Sequence, residues 1–369
     1  MAKSGGRLVS LDIFRGLTVA FMIIVNNPGS WDHVYPPLLH SRWHGCTPTD
    51  LVFPFFLFIV GIATFYSLKK YGSELNSSSL LRIFRRTITI FLLGLFLTIF
   101  PYFVRDYSTL RIMGVLQRIA LAYGIAAFIC LAVRQEYHWV VVAFLLLLYW
   151  ALLYFFGGND PYSLEDNFVL KVDTAIMGKN HLSKSFGIPF DPLGLLSTIP
   201  AVCTVIIGYF VGGIITKGAP DGKIFIKILL LGIASFGLGY LWNMVFPINK
   251  PLWTSSYVLY TAGLAMILFS VIYLIADIFK FQVIGLFFTI LGMNALFSYF
   301  IADILSKMLN YVHIHSGSAM ISVSGWFYQK VCVPIAGDTG GSLMYAIILM
   351  MIIWGLSLIL YRKKIMIRL

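Results

Sequence analysis

An all-α, polytopic membrane protein with about ten transmembrane helices is the fold that this sequence predicts. Of its 369 residues, 59% are hydrophobic and only 11% are charged, whereas a soluble domain carries about 25% charged residues. Several apolar runs reach the roughly 18 residues that suggest a membrane-spanning helix. The runs are apolar throughout, which excludes an outer-membrane barrel, because barrel strands alternate polar and apolar residues.

The apolar runs place the predicted spans in order along the chain, with boundaries good to a few residues. They cover Leu8–Asn26, Asp50–Leu68, Ile83–Phe103, Ile112–Val133, Trp139–Phe156, Leu195–Ile215, Ile224–Phe246, Ser256–Ile278, Val283–Leu305 and Leu343–Tyr361. An even number of spans puts both termini on the same side of the membrane.

The distribution of charge predicts which side that is. The formal net charge is +12, from 27 Lys and Arg against 15 Asp and Glu. Basic residues such as Lys69, Arg85 and Lys363 gather on one side of the spans, which identifies that side as the cytoplasm and explains the charge without nucleic acid as a partner. Both termini are therefore expected in the cytoplasm. The long polar and aromatic connections are expected outside, with a site for a polar ligand among them: Asn27–Thr49, Gly157–Gly194, Pro247–Ser255 and Ser306–Ser342.

Three of the charged residues within the predicted spans are candidates for a functional role. Asp12 and Arg15 share one face of the first span. Charges at membrane depth are costly and mark functional sites unless they form a structural ion pair, and both interpretations stay open for this pair. Arg118, in the fourth span, needs a partner: Asp106, an Asp of another helix, or a ligand phosphate. Arg7 and Arg15 are candidates to hold the phosphates of a ligand that enters from the cytoplasm.

The first outer connection contains the best candidates for chemistry. His40 and His44 precede Asp50, and a histidine beside a membrane-embedded carboxylate suits proton transfer near neutral pH. Asp50 could equally be a helix cap. The spacing of the two histidines fits a zinc pair on a helix, but prolines interrupt the segment and it has no HExxH motif, so no metal is expected. Asn26 could donate to a carbonyl oxygen or cap the first helix.

A polar and aromatic group precedes the eighth span. Such groups hold sugars, or form the interfacial aromatic belt of a membrane protein. Its members are Asn249, Lys250, Trp253, Thr254, Ser255 and Ser256. Elsewhere, Cys46 and Cys332 both fall in outer connections, and the sequence leaves open whether they pair.

Five segments spread over Arg7–Gly263 resemble the heparan-α-glucosaminide N-acetyltransferase family. They read RLVSLDIFRGLTVAFMIIVN, HSRWHGCTPTDLVFPFFLFIVG, GVLQRIALAY, FDPLGLLSTIPA and PINKPLWTSSYVLYTAG. The last two resemble bacterial members most closely, and the resemblance is to the bacterial form, which is expected to be without the extra N-terminal lumenal domain and spanning helix of the lysosomal form. The resemblance implies a single integral-membrane acyltransferase domain over residues 1–369, in a bacterial cytoplasmic (inner) membrane.

The resemblance also implies an activity and a site. The family moves an acetyl group from cytosolic acetyl-CoA, across the membrane, to the terminal glucosamine amine of heparan sulfate. Its catalytic histidine falls on His40, its asparagine near the thioester on Asn26, and the aspartate of its motif on Asp50. The lysosomal form has Asn where this chain has His44.

Together, these patterns predict a transmembrane N-acetyltransferase of the lipid bilayer that uses acetyl-CoA and an amino-sugar acceptor. A homodimer is compatible with the sequence. Its catalytic residues are expected to be His40, Asn26 and Asp50. The cofactor-binding residues are expected to be Arg7, Asp12, Arg15 and Arg118, and the substrate-binding residues His44, Asn249, Lys250, Trp253 and Ser255. Two alternatives remain: a sugar permease with Asp12, Arg15 and Asp50 as its coupling charges, and a polysaccharide O-acetyltransferase.

Overall fold

A computed structural model describes residues 8–70, 75–103, 106–216, 220–283, 285–316 and 319–367. Within these ranges the protein is helical apart from one small antiparallel hairpin. The helices are α1 Val9–Asn26, α2 Val52–Lys70, α3 Ser77–Ile99, α4 Val115–Ala132, α5 His138–Phe156, α6 Phe168–Met177, α7 Thr198–Ile215, α8 Gly222–Trp242, α9 Ser255–Tyr273, α10 Gly285–Met293, α11 Ala295–Tyr311, α12 Val323–Phe327 and α13 Val333–Arg362. The hairpin joins β1 His313–Ser316 to β2 Ala319–Ser322.

The number of apolar spans is slightly below the ten predicted from the sequence. In the described part of the chain, eight helical segments are long and apolar enough to cross a membrane, or nine if the bent pair α10–α11 is one span. The remaining predicted span is α3, a helix of 23 residues that carries Arg82, Arg85 and Arg86 in its first half. The prediction of an all-α polytopic membrane protein is confirmed.

Among the helix pairs that approach closely enough to need glycine are α2–α7 and α1–α10. A Cβ on Gly61 of α2 would lie 2.0 Å from the Val205 carbonyl oxygen of α7, and one on Gly292 of α10 would lie 1.9 Å from the Asp12 carbonyl oxygen of α1. Small residues allow such backbone contact between membrane helices. Helices α2 and α7 are both mostly buried, so their contact lies at the centre of the protein, and the start of α2 carries Asp50.

The prediction that the ninth span is a single helix was wrong. The chain bends by 79° between α10 and α11, because Asn294 leaves the helix to bond the C-terminal segment. The Asn294 Nδ2 donates to the Ile365 carbonyl oxygen at 3.1 Å, and its Oδ1 accepts from the Ile367 N–H at 2.8 Å. The Ser298 and Ser357 hydroxyls meet at 3.0 Å, so α11 runs antiparallel to the end of α13.

These contacts define two ends of the helix bundle. The terminal end contains the start of α1, where Val9 and Ser10 donate to the Asp277 carboxylate, together with the α10–α11 bend and the C-terminal segment. The loop end contains the connections 27–51, 157–197 and 247–254. The terminal end corresponds to the predicted cytoplasmic side, and the loop end to the predicted outer side.

The connections at the loop end contain more structure than expected. Gly157–Gly194 was predicted as a loop but contains α6, and Ser306–Ser342 contains the hairpin, α12 and the start of α13. The last helix begins at Val333 rather than Leu343 and breaks at Gly337, where φ is 71°. Cys46 and Cys332 do not pair, since both are free.

Candidate active site

Asp50 is a buried carboxylate at the loop end, where a short 3₁₀ turn over Pro48–Leu51 leads into α2. The sequence TPTD builds this turn: Pro48 starts it, and Thr47 and Asp50 cap one another's backbone. The Asp50 side chain has no exposed surface. Its Oδ2 accepts hydrogen bonds from the backbone N–H groups of Ser41 and Thr47, each at 3.0 Å. Asp50 is therefore a cap, as one interpretation proposed, and its Oδ1 remains available.

His40 uses the remaining oxygen. The distance from His40 Nδ1 to Asp50 Oδ1 is 2.7 Å, and 48% of the His40 side chain is exposed. A carboxylate only accepts hydrogen bonds, so Nδ1 carries the proton and Nε2 has the free lone pair. This is the arrangement in which a histidine can take a proton or bind an acyl group.

Lys250 reaches the same group from the connection before α9. Its Nζ lies 3.3 Å from Asp50 Oδ1, 3.0 Å from His40 Nδ1 and 3.4 Å from His40 Nε2. Burial lowers the pKa of Lys250, while the Asp50 carboxylate opposes that shift. The carboxylate therefore joins an exposed imidazole to a largely buried ammonium.

The turn that carries Lys250 is held by a hydrogen bond within the turn and by another to the first connection. The Asn249 Oδ1 accepts from the Leu252 N–H at 2.7 Å, and the Gly45 N–H donates to the Ile248 carbonyl oxygen at 2.8 Å. Asn249 is fully buried, and its Nδ2 lies 3.3 Å from His44 Nδ1. The structure thus brings His44 and Asn249 together beside the His40–Asp50–Lys250 group.

Cys46 lies close to this group but is not suited to act as its nucleophile. Burial, reinforced by the Asp50 carboxylate, raises the pKa of the Cys46 thiol to about 12. The reactive form of cysteine is the thiolate, so at neutral pH the Cys46 side chain stays protonated. Burial likewise lowers the pKa of His44, against an opposing effect of Asp160.

Trp253, Ser255 and Arg118 form the buried wall behind this turn. Trp253 has a left-handed backbone, with φ of 53°, and all three side chains are fully buried. The Arg118 guanidinium carbon lies 5.3 Å from the Trp253 ring centre, and its Nη2 donates to the Gly194 carbonyl oxygen at 2.7 Å. The Ser255 hydroxyl donates to the Leu146 carbonyl oxygen at 2.7 Å. None of the three side chains has surface exposed to a ligand in this structure.

The predicted donor-binding residues Asp12 and Arg15 lie at the terminal end. Arg15 Nη1 is 3.4 Å from Asp12 Oδ1 and donates to the Gly292 carbonyl oxygen at 3.2 Å. The pair therefore ties α1 to the last turn of α10. Arg7 lies outside the described residues, and Arg118 is at the opposite end of the bundle from Arg15.

Asn26 ends α1 at the loop end, where it is exposed. Its neighbour Asn27 donates to the Ile23 carbonyl oxygen at 2.8 Å and so satisfies the end of the helix. Among the described residues, the Asn26 carboxamide has no hydrogen-bond partner, and no contact joins it to His40. Asn26 lies at the same end of the bundle as His40.

Sequence reasoning missed some residues that hold the site. The TPTD motif is a capping-box signal and could have found Thr47. Ser41 and Tyr257 had no such signal, although the Tyr257 hydroxyl donates to the Asp50 carbonyl oxygen at 2.5 Å. In the described ranges, no group of three or more His, Cys, Asp or Glu could hold a metal ion.

Comparison with known proteins identifies the family. The family model for the catalytic part of heparan-alpha-glucosaminide N-acetyltransferase matches residues 7–242. The chain belongs to this family. The heparan-alpha-glucosaminide N-acetyltransferases of Mus musculus and Homo sapiens are each 26% identical to it, over 360 and 354 residues. These matches cover 80% and 79% of this chain and 53% and 52% of the relatives, so the chain spans about half their length.

The family match confirms the resemblance found in the sequence motifs. Its range contains His40, Asp50 and Arg118, whereas Lys250 and Trp253 follow it. The protein is thus an integral-membrane member of an acetyltransferase family, with a histidine, a carboxylate and a lysine in contact at one end of its helix bundle.

Proposed function

We propose that this protein is a transmembrane N-acetyltransferase. It moves an acetyl group from cytosolic acetyl-CoA to the amine of a glucosamine-type sugar on the other side of a bacterial cytoplasmic membrane. The observation that carries the proposal is the His40–Asp50 contact of 2.7 Å, with the imidazole half exposed on a buried carboxylate. Family membership supports the acetyl transfer.

The chemistry assigned to His40 follows from the free lone pair on its Nε2. When the acceptor amine attacks the thioester carbonyl, a C–N bond forms, the C–S bond breaks, and Nε2 takes the proton that the amine loses. The CoA thiolate leaves and is reprotonated from the ring. Alternatively, Nε2 itself attacks the thioester carbonyl, the C–S bond breaks and the CoA thiolate leaves. The amine then takes the acetyl group from Nε2 as the N–C bond to the ring breaks, and the proton that the amine loses passes through the free imidazole to the thiolate. Asp50 orients the ring and offsets its positive charge in either route.

Asn26 is assigned to the carbonyl oxygen of the thioester. Its carboxamide is exposed and its donor is unused within the described chain, so it is available to stabilise the developing oxyanion. Asn26 is eleven residues after Arg15 on α1, which corresponds to about 16 Å along the helix. Arg15, with Asp12 and Arg7, is assigned to the nucleotide of acetyl-CoA at the terminal end, and the pantetheine arm would follow α1 between the two sites.

The acceptor is assigned to the surface around His40. His44 and Lys250 have side-chain atoms there, whereas Asn249, Trp253 and Ser255 are buried and shape the wall. Arg118 is assigned to the same wall, because its guanidinium lies over Trp253. A homodimer is compatible with the apolar side chains that α5 and α8 expose to lipid.

The test is acetyl transfer by purified protein from isotope-labelled acetyl-CoA, with mass spectrometry of the products. Glucosamine should gain the label, and N-acetylglucosamine, whose amine is blocked, should not. His40→Ala should lower the rate at least about a hundredfold, because general acid–base catalysis contributes that much. His33→Ala is the matched control, since His33 is an exposed histidine of the same connection.

Three results would contradict the proposal. Unchanged transfer by His40→Ala would remove the catalytic assignment. Labelling of the blocked sugar would indicate an O-acetyltransferase. Sugar uptake into vesicles without acetylation would indicate a permease.

A further inference from the structure

We propose that Lys250 is a positioning residue that acts through His40: its ammonium disfavours a positive charge on the imidazole, so that the ring readily releases the proton or acetyl group it has accepted. This inference rests on the proposed acetyl transfer. It assigns Lys250 a role different from binding the sugar, which the sequence had suggested.

The position of the ammonium relative to the ring carries the proposal. Lys250 Nζ lies 3.0 Å from His40 Nδ1 and 3.4 Å from His40 Nε2. The two nitrogens flank the same ring carbon, so an atom this near to both must lie over the face of the ring. A hydrogen bond to a nitrogen lone pair would lie in the ring plane instead. The Nε2 lone pair therefore remains free for reactants, with a cation directly beside it.

The turn before α9 holds the ammonium in this place. Only 18% of the Lys250 side chain is exposed, and its Nζ is paired with Asp50 Oδ1 at 3.3 Å. Asn249 is buried and closes the turn on itself, and the Gly45–Ile248 hydrogen bond fastens the turn to the connection that carries His40. The cation is thus built into the site and does not need a ligand to bring it there.

Both routes of acetyl transfer place a positive charge on the imidazole. In one, the ring accepts a proton from the amine; in the other, it carries the acetyl group as an acyl-imidazolium. The titratable groups in contact with the ring are Asp50 at the start of α2 and Lys250 in the turn. Cys46, in the same connection as His40, interacts electrostatically with both of them. The Cys46 thiol is neutral, so Asp50 and Lys250 act in opposite directions on the charged ring.

The experiment measures the charge of the ring without needing catalysis. Diethyl pyrocarbonate reacts with neutral imidazole only, so the pH dependence of His40 carbethoxylation, followed by peptide mass spectrometry, reports its protonation. In Lys250→Met the pH of half-maximal reaction should rise by about one unit, which is the lower end for a nearby charge because the ring is half exposed. In Asp50→Asn it should fall. In Lys250→Arg, which keeps the charge, it should stay where it is in the parent protein.

His33, in the same connection, is the internal reference and should react identically in all variants. Lys250→Gln is the second neutral variant if Lys250→Met is not monodisperse by size exclusion. Acetyl transfer gives an independent readout. At pH 7, kcat should fall by up to about tenfold in the neutral variants, since a midpoint one unit higher lowers the neutral fraction of the ring by at most that factor, while KM for the acceptor stays within about twofold.

An unchanged midpoint of carbethoxylation in both neutral variants would overturn the proposal. So would a rise in acceptor KM with kcat unchanged, because that is the behaviour of a sugar-binding residue. If the parent protein transfers no acetyl group, the proposed function fails. The carbethoxylation midpoints still decide whether Lys250 controls the charge of His40.

Discussion

At each end of the helix bundle, one buried polar side chain holds backbone segments in place, but only one of the two side chains keeps an atom for other partners. At the loop end, Asp50 folds the first connection on itself by accepting from the backbone N–H groups of Ser41 and Thr47. At the terminal end, Asn294 joins the α10–α11 bend to the C-terminal segment. Asn294 uses both polar atoms of its carboxamide on backbone. Asp50 uses one oxygen on backbone and turns the other toward His40 and Lys250. The oxygen left over after the structural bonds are made is the one that the proposed chemistry at the loop end uses.

Asp173 is a third case, between these two. Its Oδ1 accepts from the Leu195 and Leu196 N–H groups, each at 3.0 Å. Its Oδ2 is buried and has no hydrogen-bond partner among the described residues. Burial accordingly raises the pKa of Asp173 to about 6. A buried carboxylate oxygen that accepts no backbone hydrogen bond therefore stays in its charged form at low free-energy cost only where a cation or a hydrogen-bond donor contacts it.

The largest effect is expected from removing the carboxylate at the loop end. Asp50→Ala should abolish acetyl transfer and lower the free energy of unfolding by about 3–5 kcal/mol, because the buried Lys250 ammonium loses its partner. Denaturant titration in detergent measures the change. The control is Asp32→Ala, since Asp32 is an exposed aspartate of the same connection. Equal unfolding curves for the two variants would show that Asp50 does not hold the site together.

A smaller effect is expected at the terminal end. Asn294→Ala removes two hydrogen bonds to the C-terminal segment, each worth about 1 kcal/mol, and should leave acetyl transfer little changed. Trypsin should then cleave faster after Arg362, Lys363 and Lys364, which intact-mass measurement detects. Asn180→Ala, at an exposed asparagine, should cleave like the parent. If Asn294→Ala is trimmed no faster, the carboxamide does not anchor this segment.

The smallest effect is expected at Asp173, and it depends on pH. Because the pKa of this acid is raised in the folded protein, its contribution to stability is present at low pH and is lost as the pH rises through about 6. Asp173→Asn keeps the Oδ1 acceptor and stays neutral. It should therefore raise the melting temperature at pH 8 and change it little at pH 3, which is below the ordinary aspartate pKa of about 3.9. An equal shift at both pH values would contradict the assigned protonation.

Much of the site could be identified from the sequence, because titratable residues at the ends of apolar spans indicate a functional site even without knowledge of their partners. His40, Asp50 and Lys250 were all named, and the structure places them in contact. Asn26 was named and lies at the same end of the bundle, without contact to His40. The buried positions of Trp253 and Ser255 could not be foreseen, because aromatic and hydroxyl residues near a membrane surface occur equally in walls and in binding sites.

The sequence by itself determined the helical membrane architecture and the grouping of basic residues on one side. Long apolar runs have only one way to satisfy their backbone in lipid, which is to form helices. Only the tertiary structure decided that Asn294 bends a span, because its partners lie more than 70 residues away. It alone decided that Lys250, 210 residues from His40, lies over the imidazole, since no local pattern records which connections meet at the end of a bundle.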